Sequence, residues 1–231
     1  MPTKQAFFIA GTDTDAGKTF IACALLAAAR RKGLSTAAIK PVASGCEQTS
    51  DGLRNSDALL LMSAMSAELA YEQVNPVALE PAIAPHIAAA EAGRRLDPMR
   101  LAGFCRGVLG AGQDFTLVEG AGGWRVPLGP QGFLSDLPRA LELPVILVVG
   151  MKLGCINHAV LTAEAIRRDG LPLAGWVANF GAAEMARPDE NFDTLCRLLP
   201  APCLGRVPHV EGADFQAGAG FLDIDRIGVQ T

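Results

Sequence analysis

A glycine-bounded segment near the N-terminus carries the clearest chemical signal in the sequence. Residues 11–19 are Gly-Thr-Asp-Thr-Asp-Ala-Gly-Lys-Thr, between a short apolar run and an Ala- and Leu-rich stretch typical of a helix. Backbone N–H groups at such a helix start bind phosphate oxygens. Lys18 would contact the β- and γ-phosphates, and the Thr19 hydroxyl would ligate Mg²⁺. The spacing departs from the usual phosphate loop by one residue, because Thr12 stands where the first glycine is expected. A chance glycine turn before a helix is the alternative.

Charged residues that end or follow other predicted elements would complete this site. Lys40 ends a predicted strand, so it would point into the ligand crevice and neutralise a phosphoryl group or polarise an acyl oxygen. A surface lysine is the alternative. Glu119 ends a buried strand, where an acid without a cation is costly to desolvate. Glu119 and Asp57 are therefore predicted partners of Mg²⁺, although Asp57 is equally explained as an acid in the first turn of a helix.

A second polar segment, at 154–157, follows an apolar strand and opens a predicted helix. Its N–H groups are suited to holding a carboxylate, but an ordinary helix start explains the spacing as well. The three histidines, at 86, 158 and 209, have no spacing that indicates a catalytic triad or a metal site.

The order of predicted elements indicates how these residues meet. Apolar runs predict strands at 5–10, 35–39, 115–119, 144–150, 173–179 and 203–207. Periodicity and caps predict helices at 18–31, 56–64 after Asn55, 98–109, 156–168 and 188–199. We expect loop with a short helix near 87–92 in the Pro-rich stretch 75–95, and at most one short element after 211.

This alternation is typical of an α/β fold that resembles P-loop NTPases, with a mostly parallel central sheet and helices on both faces. In such folds ligands bind beyond the carboxyl ends of the strands. The polar segments at 11–17, 40–45, 119–123 and 150–157 all follow predicted strands, so we expect them to meet at one edge of the sheet.

Composition restricts the class of protein. With 231 residues, of which 50% are hydrophobic and 19% charged, the chain is predicted to form one domain, residues 1–231, and not a disordered segment. The net charge of −4 and the lack of a basic run beyond 30–32 argue against nucleic-acid binding. No apolar run approaches the ~20 residues of a membrane span. Six scattered cysteines and a polar N-terminus favour a cytoplasmic protein without disulfides or zinc.

Six segments, in order, resemble the dethiobiotin synthetase family, and the match runs from about residue 6 to residue 210. The segments are 11–19 given above, 40–44 (Lys-Pro-Val-Ala-Ser), 54–57 (Arg-Asn-Ser-Asp), 119–124 (Glu-Gly-Ala-Gly-Gly-Trp), 152–157 (Lys-Leu-Gly-Cys-Ile-Asn) and 175–179 (Gly-Trp-Val-Ala-Asn).

The resemblance implies an ATP- and Mg²⁺-dependent ligase of biotin biosynthesis. In this family CO₂, drawn from bicarbonate, adds to one amine of 7,8-diaminopelargonate and forms a carbamate. ATP phosphorylates the carbamate to a carbamic-phosphoric anhydride. The second amine then attacks, closing the ureido ring of dethiobiotin and releasing phosphate and ADP. The resemblance also implies a homodimer with its sites at the interface.

The resemblance further assigns roles to residues. The group implied to act on the reacting atoms is Thr14, Lys18, Lys40 and Ser44, with Ser44 also contacting substrate. The implied Mg²⁺ ligands are Thr19, Asp57 and Glu119. The implied nucleotide contacts are Asp15, Ala16, Gly17, Lys18, Thr19, Phe20, Asp57, Glu119, Gly120, Ala121, Gly122, Asn179, Phe180, Pro208, His209 and Val210. The implied carboxylate site, supplied by the neighbouring subunit, is Gly154, Cys155, Ile156 and Asn157.

The chain departs from the family at the edges of these sites. Phe180 stands where members often have aspartate, Asn191 where some have a substrate-contacting tyrosine, and 208–210 replace a more aromatic segment. Two other classes compete with a biosynthetic ligase. One is a partition- or septum-type ATPase switch, whose signature lysine in the phosphate loop corresponds to Asp13 here. The other is a related regulatory or amidotransferase-type domain. A requirement for diamine, partner protein or glutamine in ATP turnover separates the three.

Overall fold

The computed structural model describes residues 4–130, 132–181 and 185–228. The strands are Gln5–Gly11 (β1), Thr36–Ile39 (β2), Val42–Ala43 (β3), Glu47–Thr49 (β4), Gly52–Arg54 (β5), Val77–Ala78 (β6), Phe115–Glu119 (β7), Pro127–Gly129 (β8), Gly132–Phe133 (β9), Val145–Gly150 (β10), Leu173–Asn179 (β11) and Cys203–Val207 (β12). The helices are Lys18–Arg31 (α1), Ser56–Ala64 (α2), Tyr71–Val74 (α3), Pro85–Glu91 (α4), Pro98–Leu109 (α5), Asp136–Leu141 (α6), Cys155–Arg168 (α7), Pro188–Leu198 (α8) and Phe215–Gly218 (α9).

Six strands form one parallel sheet in the order β12-β11-β10-β1-β7-β2. β1 lies at the centre, with Phe8 opposite Val145 of β10 and Val118 of β7. Parallel pairing places the carboxyl ends of all six strands at one edge, which confirms the predicted α/β architecture. The ends of β1, β2 and β7 are therefore neighbours there.

Alternate side chains of the buried strands point to two apolar layers. Phe7 and Ile9 pack beneath α1, whereas Phe8 and Ala10 face the layer that includes α5 and α7. A strand buried on both faces has no polar side, which is why these strands are continuous apolar runs in the sequence. Within the described residues, none of the helices combines the length and the hydropathy needed to cross a bilayer.

The six cysteines are all free in the structure. Cys105 is fully buried in α5, and burial raises the pKa of its thiol to about 12. Such a thiol is protonated at neutral pH and behaves as a small apolar core residue.

The C-terminal tail departs from the prediction of at most one short element. Three 3₁₀ turns, at Glu211–Ala213, Ala219–Phe221 and Ile224–Arg226, flank or follow α9. Ile224 and Ile227 are buried in the α1 layer, and Leu222 forms an antiparallel bridge to Gly205. These apolar residues have no helical or strand periodicity, so the sequence pattern did not reveal the packing. The two-residue pairs β3–β6 and β8–β9 were missed because their partners are distant or weakly apolar.

Candidate functional site

A cleft of about 740 Å³ opens at the carboxyl edge of the sheet. The phosphate loop, the ends of β2 and β7 and the segments 82–85 and 125–127 form its walls. Predicted site residues that line the cleft are Thr14, Asp15, Gly17, Lys18, Thr19, Phe20, Lys40, Ser44, Asp57, Ala121 and Gly122. The structure thus brings residues of four of the resembling segments, 11–19, 40–44, 54–57 and 119–124, to one cavity.

The phosphate loop curls so that Lys18 folds back over its own start. Lys18 Nζ donates to the carbonyl of Asp13 at 3.2 Å. A Cβ on residue 11 would lie 3.0 Å from both that carbonyl and Lys18 Nζ, so Gly11 makes this fold-back possible. Gly17 ends the loop at φ +85°, a left-handed conformation that favours glycine. Burial and the neighbouring charge of Lys40 lower the pKa of Lys18.

Lys40 lies between the two predicted metal-binding acids. Its Nζ is 2.5 Å from Glu119 Oε1 and 2.8 Å from Asp57 Oδ2, and its side chain is 5% exposed. Burial alone would lower the pKa of Lys40, but the carboxylates of Glu119 and Asp57 outweigh it and raise that pKa. For Asp57, burial opposes ionisation, yet the charge of Lys40 lowers the pKa. Lys40 is therefore held as a cation inside the cleft.

The donors near Lys40 fit a magnesium ion. Thr19 donates its hydroxyl to Glu119 Oε1 at 2.7 Å. Glu119 Oε2 is buried and has no hydrogen-bond partner among the described residues, which leaves a charged oxygen free for a cation. The described residues contain no cluster of three or more His, Cys, Asp or Glu able to hold a metal. Two carboxylates and a hydroxyl suit Mg²⁺ instead, because Mg²⁺ takes its other ligands from water and phosphate.

The start of α2 places Asp57 at the cleft and is hydrogen-bonded to Ser44, which follows β3. Asn55 caps α2, as predicted, by accepting from the Ala58 N–H at 3.2 Å, and its amide donates to the carbonyl of Ser44 at 3.4 Å. The Oγ of Ser44 is buried with no partner in the described part of the chain. A free hydroxyl that lines the same cleft as Lys18 and Lys40 is suited to binding an anionic substrate group.

The predicted base-binding residues meet at the ends of β11 and β12, outside the lining of the cleft. Asn179 is 8% exposed and its Nδ2 donates to the Ala16 carbonyl at 2.9 Å, while its Oδ1 lacks a partner within the described residues. Phe180 N–H donates to Val207 at 2.8 Å, and His209 Nδ1 lies 2.5 Å from the Gly181 carbonyl. A Cβ on Gly17 would lie 2.0 Å from Asn179 Nδ2. Asn179, a predicted base-binding residue, therefore packs directly on the phosphate loop.

The predicted carboxylate site lies at the start of α7 and does not line the cleft of its own chain. Gly154 takes φ +95° and caps the helix, and the neighbouring Leu153 is 94% exposed. Cys155 is buried, whereas Asn157 is exposed. Gly120, at the end of β7, also lies outside the lining; its carbonyl is 3.5 Å from Lys40 Nζ.

Two features of the cleft were missed from the sequence. Arg125 lines it and donates to Asp169 at 2.7 Å, while Trp124 Nε1 donates to the same carboxylate at 2.8 Å. An apolar wall that includes Ile83 and Val126 lines the same cleft as the lysines. Trp124 belongs to a segment that carries the resemblance, so Arg125 could have been found as its neighbour. No local pattern indicates Asp169.

Comparison with known proteins identifies the family. A family model described as an AAA domain matches residues 5–217. The ATP-dependent dethiobiotin synthetase BioD of Cellvibrio japonicus is 61% identical, over 96% of this chain and 97% of that protein. The protein of the same name from Pseudomonas aeruginosa is 62% identical, over 97% and 98%. That from Marinobacter nauticus is 52% identical, over 91% of each.

Solved structures support the fold alone. A ParA family ATPase from Chlorobium tepidum superposes with a TM-score of 0.53 at 15% identity, covering 95% of this chain and 90% of that one. The signal recognition particle receptor FtsY from Elizabethkingia anophelis, in complex with GDP, gives 0.53 at 12% identity, covering 95% and 64%. With several near-full-length relatives above half identity, the chain belongs to the dethiobiotin synthetase family.

Proposed function

We propose that the chain closes the ureido ring of dethiobiotin from 7,8-diaminopelargonate, CO₂ and ATP, as an ATP-dependent ligase of biotin biosynthesis. The observation that carries this proposal is the pair of buried lysines, Lys18 and Lys40, in one cleft with a phosphate loop. Family membership at more than 50% identity supplies the substrate class. The switch and regulatory alternatives find no comparable support.

The first chemical step needs negative charge to be neutralised. A carbamate oxygen attacks the γ-phosphorus of ATP, the bond to the β–γ bridging oxygen breaks, and ADP leaves. Lys18 and Lys40 would stabilise the charge that spreads over the transferring phosphoryl oxygens. Their positions are fixed before substrate arrives, by the Asp13 carbonyl for Lys18 and by Glu119 and Asp57 for Lys40.

The second step needs a dry site. The remaining amine attacks the carbonyl carbon of the anhydride, and phosphate leaves. Hydrolysis competes with this attack, so exclusion of water favours ring closure. The apolar wall at Ile83 and Val126 would shield the anhydride and pack against the methylene chain of the diamine. The hydroxyls of Thr14 and Ser44 lie where they could orient the carbamate.

Mg²⁺ would be held by Thr19, Asp57 and Glu119, where it supplies charge neutralisation to the nucleotide phosphates. Asn179 and Phe180, with 208–210, would contact the adenine and ribose. We further propose that residues 1–231 form a single domain and that the protein acts in the cytoplasm.

We also propose a homodimer in which residues 154–157 of one subunit bind the substrate carboxylate in the site of the other. The support is geometric: the N–H groups at the start of α7 are suited to a carboxylate, yet this helix start does not line the cleft of its own chain. The 94% exposure of Leu153 beside it fits an apolar contact with a second copy.

Incorporation of labelled bicarbonate tests the function. Purified protein receives Mg²⁺-ATP, 7,8-diaminopelargonate and labelled bicarbonate, and acid-stable label and phosphate are both measured. The proposal predicts equal amounts of the two, and neither when the diamine is omitted. Phosphate release without stable label, or turnover that needs glutamine or a partner protein, would instead support the regulatory or switch alternatives.

A further inference from the structure

The phosphate loop contains two carboxylates, which is unfavourable for a loop that binds polyphosphate. Asp13 and Asp15 both lie between Gly11 and Gly17, and Lys18 is the one basic residue of the 11–19 segment. The cleft beside it adds Asp57, and the buried Glu119 contacts Lys40; Arg125, which also lines the cleft, is already paired with Asp169. ATP therefore approaches a region with more carboxylates than lysines unless another cation contributes.

Lys152 is that cation. Its Nζ donates to Asp13 Oδ2 at 2.9 Å, across 139 positions of sequence. The other oxygen, Oδ1, accepts from the Thr14 N–H at 2.8 Å, and the Asp13 carbonyl accepts from Lys18. Asp13 thus fixes the turn of the loop, positions Lys18 and binds Lys152, which follows the neighbouring strand β10.

The position of Lys152 is set by the backbone. It follows β10, and its carbonyl accepts from the Cys155 N–H at 2.9 Å, closing the turn that starts α7. The hydrogen bond from Lys152 lowers the pKa of Asp13, so this carboxylate is charged at neutral pH. Both side chains are almost half exposed, at 44% and 45%, so the pair adds little to folding stability. We therefore expect the Lys152–Asp13 pair to act on the phosphate loop and not on the stability of the whole fold.

We infer that Lys152 is a positioning residue for nucleotide binding, which neutralises Asp13 and so allows the phosphate loop to accept a triphosphate. The inference rests on the proposed function insofar as ATP is the nucleotide bound. A salt bridge that acted only as a clamp, holding the loop in shape, would be lost equally when either Lys152 or Asp13 is replaced. Neutralisation of Asp13, by contrast, fails only when the cation, Lys152, is removed.

Nucleotide affinity, measured by calorimetric titration of Mg²⁺-ATP without diamine, separates these cases. Lys152→Met leaves the Asp13 carboxylate unpaired beside the phosphates, and we expect ATP to bind about five- to tenfold more weakly. Asp13→Asn leaves Lys152 as a free cation, so affinity should stay within about twofold of the parent or improve. The double variant should recover to within about threefold.

Three controls accompany the titration. Lys152→Arg keeps the charge and should bind ATP like the parent. Arg139→Gln breaks the Arg139–Asp136 surface pair, outside the cleft lining, and should change nothing. In steady state, Lys152→Met should raise KM for ATP while kcat at saturation stays within about twofold, as expected for uniform binding.

Equal weakening by Lys152→Met and Asp13→Asn, without recovery in the double variant, would overturn the inference in favour of a clamp. Unchanged affinity in Lys152→Met would also overturn it. If the parent binds Mg²⁺-ATP and forms dethiobiotin, but Lys152→Met and Asp13→Asn have the same affinity for ATP, only the inference about Lys152 fails and the proposed function stands. A parent that does not bind Mg²⁺-ATP would overturn the proposed function as well.

Discussion

The two halves of the sheet edge are built differently. At the ends of β1, β2 and β7, the side chains of Thr19, Lys40 and Glu119 are in direct contact within one chain. At the ends of β10 and β11, Leu153 and Asn157 at the start of α7 are exposed, and the Asn179 side chain donates to the Ala16 carbonyl of the phosphate loop. The first region holds its charges in place in advance, whereas the second carries the residues proposed for recognition without a completed pocket.

This difference matches the demands of the two tasks. Phosphoryl transfer gains most from charges that are already oriented, because no reorganisation is then needed in the transition state. Recognition of a base or a carboxylate can be completed when the ligand or a second subunit arrives. Variants in the first region should therefore lower kcat, and variants in the second should change KM or depend on the partner subunit.

Removing the lysine of the phosphate loop should give the largest effect. Lys18→Gln is expected to lower kcat by about 10³-fold, since it removes a positioned cation from the transferring phosphoryl group. The fold should persist, because backbone contacts hold the loop. Dethiobiotin formation and circular dichroism check both statements, with Lys32→Gln, at the far end of α1, as the control. Near-normal activity of Lys18→Gln would show that the phosphate-loop assignment is wrong.

Mixing two impaired subunits, at a diamine concentration well below KM, should restore activity if the second region serves the partner. In a mixed dimer of Lys18→Gln and Asn157→Ala subunits, one of the two sites carries both changes and the other carries neither. Equal mixing, with subunit exchange verified, should therefore recover about a quarter of parental activity. No recovery would mean that each site is built from a single chain.

Replacing Asn179 should act on nucleotide binding alone. Asn179→Ala removes the unpaired Oδ1 and the bond to Ala16. We expect KM for ATP to rise about tenfold, near the cost of one lost buried hydrogen bond, with kcat within about twofold. Steady-state kinetics at saturating diamine measure both quantities. A fall in kcat comparable to that of Lys18→Gln would remove the proposed division between the two regions.

The smallest expected effect comes from breaking the contact between Asp169, at the end of α7, and Arg125, which lines the cleft. Asp169, at the end of α7, is partly desolvated, but Arg125 and Trp124 donate to it and lower its pKa. Because the pKa is lower in the folded state, the carboxylate stabilises the fold above its unfolded pKa. That stability is lost as pH falls through the folded value.

Asp169→Asn should therefore lower the free energy of unfolding by about 1 kcal/mol at neutral pH. The difference from the parent should shrink as the solution is made acidic. Urea unfolding at several pH values measures it. A difference that does not change with pH would show that the carboxylate charge is not what fixes Trp124 and Arg125.

The sequence predicted the large elements and many of the residues that line the cleft, because both leave local signals. The phosphate loop lies between an apolar strand and a helix, and Glu119 ends a buried strand. Asn55 was recognised as a cap, which placed Asp57 in a first helical turn. The resemblance then selected the metal role for Asp57, which periodicity alone left open.

Long-range polar contacts could not be predicted in this way. The bond between Asp13 and Lys152 and that between Arg125 and Asp169 join residues far apart in sequence, and each partner alone resembles an ordinary surface charge. The tail also packs through isolated apolar residues such as Ile224, which have no periodicity to detect. Such contacts follow from the topology of the sheet, not from any local pattern.

A crystal structure of the protein with 7,8-diaminopelargonate and a Mg²⁺-bound non-hydrolysable ATP analogue tests the central claim most directly. We predict that the two amines lie in the cleft beside Lys40 and Thr14, with the γ-phosphate at Lys18. The substrate carboxylate should contact residues 154–157 of a second copy. A diamine bound away from Lys40, or a carboxylate held entirely by the same chain, would contradict the division of the sheet edge into a pre-formed reacting centre and a recognition surface.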